Sequence, residues 1–208
     1  STGGRYFTHF LKLFDTIRDT SAISKKVVCL TDRDPVWREG DNGSFECCYP
    51  FEKDKEGYEY LEHSDDLINA YKNHPNIKIY SQDANKGKTL EYDLMLHNST
   101  SEILLVNGLP NKDEIREIQA TSFPACLEKL RKSKENHRIK ESLNNSLWSD
   151  DDKKKALLAA RYLNSVGKGE NALELSIALR ENLTKQWSER KDFIIPQYIK
   201  EALAWLLK

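Results

Sequence analysis

The chain has 208 residues, of which 38% are hydrophobic and 31% are charged, and its formal net charge is -1. This length supports one large domain or two small ones, and the composition is that of a soluble globular protein. The longest apolar runs, at 103–106 and 202–207, are far shorter than the roughly 20 residues that span a bilayer, so no membrane segment is expected. The balanced charge argues against a wholly basic nucleic-acid binder.

The start of the chain has no secretory signal. Ser1–Arg5 lack an apolar core, and the chain opens as if inside a longer sequence, so we expect a cytoplasmic fragment. Neither the cysteines nor the histidines have the spacing of zinc ligands, which predicts reduced structural thiols and no zinc site. The cysteines are Cys29, Cys47, Cys48 and Cys126.

The first hundred residues alternate between helical and strand patterns. Apolar residues at spacings of three and four predict an amphipathic helix over 6–20, and a short buried strand follows over 26–30. The stretch 37–62 has no clean period and is predicted to be an insertion or a long loop. A helix over 64–71 and a strand over 77–80 come next. Two successive α/β units predict a mostly parallel sheet covered by helices.

The remainder of the chain is helical in pattern. Gly108 is the expected C-cap of a first helix, and Ser149 with three following aspartates gives the cap and first turn of a later one. The predicted helices cover 89–107, 112–120, 124–144, 149–166, 169–183 and 196–207.

Asp32 and Asp34 are the strongest candidates for chemistry. Alternate residues of an extended chain point the same way, so both carboxylates are expected to project from the carboxyl end of the first strand, while Arg33 points elsewhere. Open α/β sheets place their sites at that edge, and two hard oxygen ligands suit Mg²⁺ or Mn²⁺. A polar strand end with a turn-forming Asp-x-Asp-Pro sequence is the alternative.

Gly87-Lys88-Thr89 invites a P-loop interpretation. A P-loop needs a glycine five positions before Gly87, and Gln82 stands there. Nucleotide binding is therefore excluded on this motif, and we expect a mobile basic loop before the next helix.

Two further residues are candidates near a cation or a phosphate. Glu91 opens a predicted helix, from which its carboxylate can reach a cation bound at a neighbouring strand edge. Asp93 lies about 200° around that helix and is expected to be a cap or a supporting group. Lys168, between Gly167 and Gly169, would place an ammonium beside a scissile phosphate. An ordinary surface lysine is the alternative for Lys168.

Basic side chains concentrate in two stretches, 129–140 and 153–168. A charge run of this kind is usually a solvated helix face. Near a carboxylate-rich metal site, the same run would track a phosphate backbone. The first stretch contains Lys129, Arg131, Lys132, Lys134, His137, Arg138 and Lys140.

Several short blocks can be read together. They are GGRYF at 3–7, TDRDP at 31–35, TLEYDL at 89–94, KGENA at 168–172 and PQYIKEA at 196–202. In order and spacing they resemble the TOPRIM-containing C-terminal region of OLD-family (overcoming lysogenization defect) ATP-dependent endonucleases, across nearly the whole chain.

The resemblance implies a fold and an activity. The fold is α/β, with a Rossmann-like TOPRIM core over 1–98, an α-helical subdomain over 99–166, and helices over 167–208 that complete the catalytic region. The activity is DNA cleavage assisted by two Mg²⁺ or Mn²⁺ ions. On this pattern Asp32 and Asp34 bind metal, Glu91 helps to hold the second ion, and Lys168 acts on the phosphate or the transition state.

The sequence departs from the family in two places. The first catalytic glutamate of the family has no counterpart, because the chain begins after the point where it would occur. Asn171 replaces an expected aromatic residue before Ala172. We therefore expect a divalent-metal-dependent endodeoxyribonuclease whose metal site is incomplete in this chain, or a domain that has lost full activity. The family's N-terminal ATPase domain is absent here, and the resemblance leaves room for a homo-oligomer formed through that missing part.

A second enzyme class is also compatible with the first strand. Val27–Val36 satisfies the DxDx(T/V) motif of haloacid-dehalogenase-like phosphatases, in which Asp32 would be a nucleophile that forms an aspartyl phosphate. That family requires a later acidic pair after another strand, and Asp65-Asp66 is a poor substitute at a helix start.

A third interpretation is a non-catalytic module that binds nucleic acid or supports assembly. The basic helices and the terminal helix with Tyr198 and Trp205 would then carry the function. This interpretation is favoured if the metal site lacks its glutamate.

Overall fold

A computed structural model of the chain describes residues 7–167 and 169–208. They form two compact units. The first contains the described residues up to Leu90 together with Ile195–Lys208, and the second is Glu91–Ile194. These bounds differ from the divisions expected at 98/99 and 166/167, because the last helix packs with the α/β part of the chain and residues on both sides of position 166 share one unit.

The described residues are α/β, as the sequence predicts. The helices are α1 (Phe7–Leu11), α2 (Asp65–Tyr71), α3 (Leu90–His97), α4 (Lys112–Ala120), α5 (Lys134–Asn145), α6 (Asp150–Leu163), α7 (Glu170–Thr184) and α8 (Gln197–Leu206). The strands are β1 (Val27–Leu30), β2 (Val36–Glu39), β3 (Glu46–Cys47), β4 (Tyr58–Leu61) and β5 (Ile77–Tyr80). No helix in 7–167 or 169–208 is both long and apolar enough to cross a membrane.

β1 and β5 form a parallel pair, as expected from their apolar patterns. Val27 lies opposite Ile77, and Leu30 lies opposite Tyr80. Both strands contact α8, and α2 packs on β5. Beneath the pair, Leu11, Cys29, Tyr71 and Ile77 form a buried cluster. This small core fixes where the two strands end, which decides the position of the residues that follow them.

Of the two expectations for 37–62, an insertion or a long loop, the long loop is wrong. β2 pairs in antiparallel fashion with β3 on one side and with β4 on the other. Trp37 is buried, and its ring lies 4.6 Å from that of Tyr58. β3 has only two residues, and the alternating burial of β4 covers only four, so the strand signal in the sequence is short. The expected parallel sheet is present in part: β1 and β5 form a two-stranded parallel sheet, and β2, β3 and β4 form a separate antiparallel sheet that was not expected.

The first predicted helix, over 6–20, is much shorter in the structure. α1 is followed by a 3-10 helix at Lys12–Phe14, after which the helical pattern ends. The Asp15 carboxylate accepts a hydrogen bond from the backbone N–H of Arg18 at 3.0 Å. A local bond of this kind competes with helix continuation, which explains the early end.

In the second unit, two expected helices are interrupted. α3 ends at His97 rather than near 107, because the Asn98 side chain donates to the Leu94 carbonyl and also exchanges two hydrogen bonds with the backbone of Ile194. The helix expected over 124–144 begins as a 3-10 helix and restarts at α5. The Ser133 hydroxyl caps α5 by accepting from the N–H of Asn136.

The other helices of the second unit follow the sequence pattern. α4 has the predicted bounds, and Ser149 caps α6 by accepting from the N–H of Asp152. The helices of the second unit together supply buried core residues. The most buried large side chains of this unit include Tyr92, Met95, Leu104, Ile115, Ile118, Ile139, Leu143, Leu157 and Leu158.

Candidate functional site

Polar residues meet where β1 and β5 end, inside the first unit. The parallel register continues past both strands, because the N–H of Thr31 donates to the Tyr80 carbonyl at 3.1 Å and the Ser81 hydroxyl donates to the Thr31 carbonyl at 2.7 Å. The same offset places Asp32 beside Gln82. The carboxyl edge of parallel strands is the usual position of sites in open α/β sheets.

Asp32 is held by two donors at this edge. Its Oδ1 accepts from Gln82 Nε2 at 2.8 Å and from the backbone N–H of Leu90, the first residue of α3, at 2.9 Å. Backbone N–H groups at a helix start favour negative charge. Asp32 is half-buried, so its carboxylate is fixed in orientation without being sealed from solvent.

The backbone around Asp34 differs from the extended chain that its spacing suggested. Asp34 has a φ of 42°, in the left-handed region that non-glycine residues rarely adopt. The N–H groups of Arg33 and Asp34 both donate to the Lys88 carbonyl at 3.1 Å, which fastens this turn. The alternation that predicted a common direction for Asp32 and Asp34 therefore does not apply, because one of the two is not extended.

Arg33 points away from the carboxylates, as predicted. Its Nε donates to the Gln82 carbonyl at 2.5 Å. Its guanidinium also pairs with Glu62 and lies 3.2 Å from the Asp65 carboxylate. Asp65 therefore takes part in a structural ion-pair network.

Gln82 is the residue of this edge that sequence reasoning missed. It is only 2% exposed. Its Oε1 accepts from the N–H of Arg33 at 3.0 Å and lies 3.2 Å from the Ser81 hydroxyl, while Nε2 lies 3.3 Å from the Tyr198 hydroxyl on α8. A signal was present in the sequence, since Gln82 is the second residue after its strand, as Asp32 is after its own.

The Gly87-Lys88-Thr89 segment is packed into the first unit, so the expectation of a mobile basic loop is wrong. Lys88 and Thr89 are buried. Lys88 Nζ donates to the Cys48 carbonyl at 2.6 Å and lies 5.2 Å from the Tyr49 ring. Burial lowers the pKa of Lys88, although nearby acidic groups, among them Asp34, act in the opposite direction.

Gly87 has a packing role in this segment. A Cβ atom at this position would lie 2.3 Å from the Cβ of Gln82 and 2.7 Å from the backbone N of Asp83. Such contacts are impossible without movement of the backbone. The glycine therefore lets the loop lie against Gln82, and phosphate binding is not needed to explain it.

Glu91 belongs to the second unit, where it is the second residue of α3. Its Oε2 is buried and has no hydrogen-bond partner among the described residues. Burial, and then the charge of Glu91, raise the pKa of Tyr162 to about 12, so this phenol remains protonated at neutral pH. Asp93, predicted to be a cap or a supporting group, is 1% exposed.

Lys168 lies outside the described residues. Next to it, Asn171 is buried, and its Oδ1 accepts from the N–H of Gly167 at 2.7 Å. The backbone N–H of Asn171 in turn donates to the Gly167 carbonyl at 3.2 Å. The asparagine that departs from the expected pattern thus closes the turn before α7.

Much of the basic stretch 129–140 is neutralised by carboxylates of the same unit. Lys132, Lys134 and His137 are exposed and have no ion pair with a described residue. The pairs are Lys129 with Glu117 at 4.0 Å, Arg131 with Glu114 at 3.2 Å, Arg138 with Glu135 at 3.9 Å and Lys140 with Glu128 at 2.5 Å.

The donor set can be compared with the needs of a divalent cation. Within 7–167 and 169–208, no group of three or more His, Cys, Asp or Glu side chains could hold a metal ion. Mg²⁺ often takes one or two carboxylates and completes its shell with water and substrate phosphate. The carboxylate of Asp32, in the first unit, and the unpartnered Oε2 of Glu91, in the second, are each a donor that suits such an ion chemically.

The fold and the site thus define an α/β protein with an oriented carboxylate at the carboxyl edge of a parallel strand pair. The chain matches no protein family, no curated protein and no solved structure.

Proposed function

We propose that the chain is the nuclease domain of a divalent-metal-dependent DNA endonuclease, with a TOPRIM-like core similar to that of OLD-family proteins. The observation that carries the proposal is the held carboxylate of Asp32 at the end of β1, within the Asp-x-Asp-Pro turn. A cation ligand needs a fixed orientation, and the two N–H donors give Asp32 one at the carboxyl edge of the parallel strands.

The unpartnered oxygen of Glu91 supports the same proposal. A buried carboxylate oxygen without a hydrogen bond costs roughly 1–3 kcal/mol, which a bound cation would offset. By resemblance to the family pattern, Asp32, Asp34 and Glu91 are the proposed metal ligands, and Mg²⁺ or Mn²⁺ is the proposed cofactor, as a two-metal site in the complete protein.

In this proposal Asp32, Asp34 and Glu91 would hold the metal ions, which would supply Lewis-acid chemistry for the hydrolysis of a phosphodiester. The residues of the chain orient the metal ligand Asp32 and attract the phosphates of the DNA. Gln82 and the start of α3 hold Asp32, and Lys168 places a positive charge beside the scissile phosphate. The exposed Lys132 and Lys134 contact neighbouring phosphates of the DNA.

The proposal is tested with Asp32→Asn and Asp34→Asn. Each substitution keeps size and removes a charge, so Mn²⁺ binding measured by calorimetry should weaken, and nicking of supercoiled plasmid should fall by about 10² or more. Asp54→Asn, at an exposed position, is the matched control and should behave as the unsubstituted chain.

Two outcomes would overturn the proposal. One is an unsubstituted chain that binds no Mn²⁺ and nicks no DNA, alone or joined to the ATPase domain that the resemblance implies. The other is a covalent phosphate on Asp32 after incubation with a phosphomonoester, which would establish the phosphatase interpretation instead.

A further inference from the structure

Gln82 occupies a buried position between three parts of the first unit. It follows β5, its side chain contacts the turn after β1, and the same side chain reaches α8. A buried glutamine generally forms hydrogen bonds through its side-chain amide with whichever polar groups are near. Here the partners are Asp32, a candidate metal ligand, and Tyr198, a residue 116 positions further along the chain.

The orientation of the Gln82 amide is fixed by its neighbours. The N–H of Arg33 can only donate, so the atom 3.0 Å from it must be the carbonyl oxygen of the side chain. The NH₂ group then faces Asp32 and the Tyr198 hydroxyl, with one N–H for each. A flipped amide would set its oxygen against the Asp32 carboxylate, which is electrostatically unfavourable.

The local backbone does not depend on this amide. The N–H of Arg33 also donates to the Lys88 carbonyl, and the N–H of Thr31 donates to the Tyr80 carbonyl. Loss of the Gln82 side-chain amide would therefore leave the turn fastened. Its effect should fall on the orientation of Asp32 and on the link to Tyr198.

We propose that Gln82 is a positioning residue that orients Asp32 for cation binding, and that Tyr198 acts on Asp32 through Gln82. The inference rests on the proposed function, because Asp32 is a metal ligand only there. It assigns α8 a part in the metal site, although none of the proposed ligands lies on α8. Groups that orient metal ligands typically change metal affinity by 10- to 100-fold when they are replaced.

The test compares Gln82→Leu with the unsubstituted chain. Leucine fills the buried volume and removes the amide hydrogen bonds to Arg33, Asp32 and Tyr198, so the Kd for Mn²⁺ is expected to rise by about 10-fold or more. The Kd is measured by calorimetry on the full chain, and a thermal melt without metal checks folding. Gln197→Leu, the same change at an exposed position of α8, is the control and should leave the Kd unchanged.

A second variant separates the contribution of Tyr198 from that of Gln82. Tyr198→Phe removes one acceptor of the Gln82 amide, so the Kd should rise a few-fold. In the Gln82→Leu background the same change should have no further effect, because the path from Tyr198 to Asp32 is already broken.

Three outcomes decide the inference. A folded Gln82→Leu chain with unchanged Mn²⁺ affinity overturns it. If that variant does not fold, equal Kd values for Tyr198→Phe and the unsubstituted chain overturn it. Additive effects of the two changes overturn the link to α8. Failure of the proposed function is distinct, since the unsubstituted chain would then bind no Mn²⁺ at all.

Discussion

The carboxyl edge of the first unit and the basic stretch of the second both stood out in the sequence, but their intramolecular partners differ. The partners are neutral N–H donors at the edge and oppositely charged carboxylates in the basic stretch. At the edge, Asp32 is held by the amide of Gln82 and by a backbone N–H. In the basic stretch, several cations already pair with carboxylates of the same unit. The comparison teaches that a cluster of charge in a sequence predicts a function only after intramolecular partners are counted.

The largest expected effect concerns Lys168, the basic residue proposed to act beside the scissile phosphate. Lys168→Ala in the complete protein should lower the rate of plasmid nicking by about 10² to 10³ while metal and DNA binding remain, because its charge acts mainly on the transition state. Arginine should not fully restore the rate, since a planar guanidinium cannot replace a compact ammonium. Near-normal nicking would show that Lys168 is an ordinary surface lysine with no part in cleavage.

Gly87→Ala probes the packing of the candidate site. The added methyl would lie 2.3 Å from the Cβ of Gln82, so the loop or Gln82 must move. Overpacking of this kind typically costs about 1–3 kcal/mol of stability, which a denaturant titration measures. Gly169→Ala is the control, because no heavy atom lies within 4 Å of its added Cβ. Equal stabilities of the two variants would contradict the close approach.

The basic stretch offers a contrast within itself. Replacing Lys132 and Lys134 together by alanine should reduce the slope of log affinity against log salt by about 0.9 for each phosphate that the variant no longer neutralises. Replacing Lys129 and Lys140 should change it less, since these cations must first leave Glu117 and Glu128. Fluorescence anisotropy with duplex DNA at several salt concentrations measures both. A salt response equal in the two pairs would show that ion pairing does not matter.

A smaller effect is expected at the buried pair of Asp15 and His74, whose atoms lie 3.1 Å apart. Burial alone would raise the pKa of Asp15, but hydrogen bonds and charge from His74 and Arg18 outweigh it and lower the pKa. The resulting stability is present above the unfolded pKa of about 3.9 and is lost as the pH falls through the folded value.

Thermal melts between pH 2 and pH 7 test this pair. The unsubstituted chain should lose stability progressively below about pH 4, while Asp15→Asn should be less stable at pH 7 and flatter in the acid range. Exposed pairs such as Lys140 with Glu128 should contribute roughly 0–1 kcal/mol at any pH. If the melting temperatures of the two chains changed equally with pH, the Asp15 carboxylate would not be stabilised by its partners.

Local patterns predicted the elements whose hydrogen bonds are local or whose apolar runs are continuous. β1, β5 and α4 fall where the sequence placed them, and Ser149 caps α6 as expected. The antiparallel strands β2, β3 and β4 were missed because each gives at most four residues of pattern and none is a continuous apolar run like β1. The early end of α3 was missed because its cause, the pairing of Asn98 with Ile194, joins residues 96 positions apart.

The candidate site shows the same division. The sequence by itself determined that two carboxylates follow a buried strand and that Gly87 cannot belong to a P-loop, because both depend on residue type and spacing. Only the tertiary structure decided that Gln82 and Leu90 hold Asp32, that the backbone of Asp34 is in the left-handed region and that Lys88 is buried. These features arise from parallel register and from packing between residues distant in the chain, which no local period encodes.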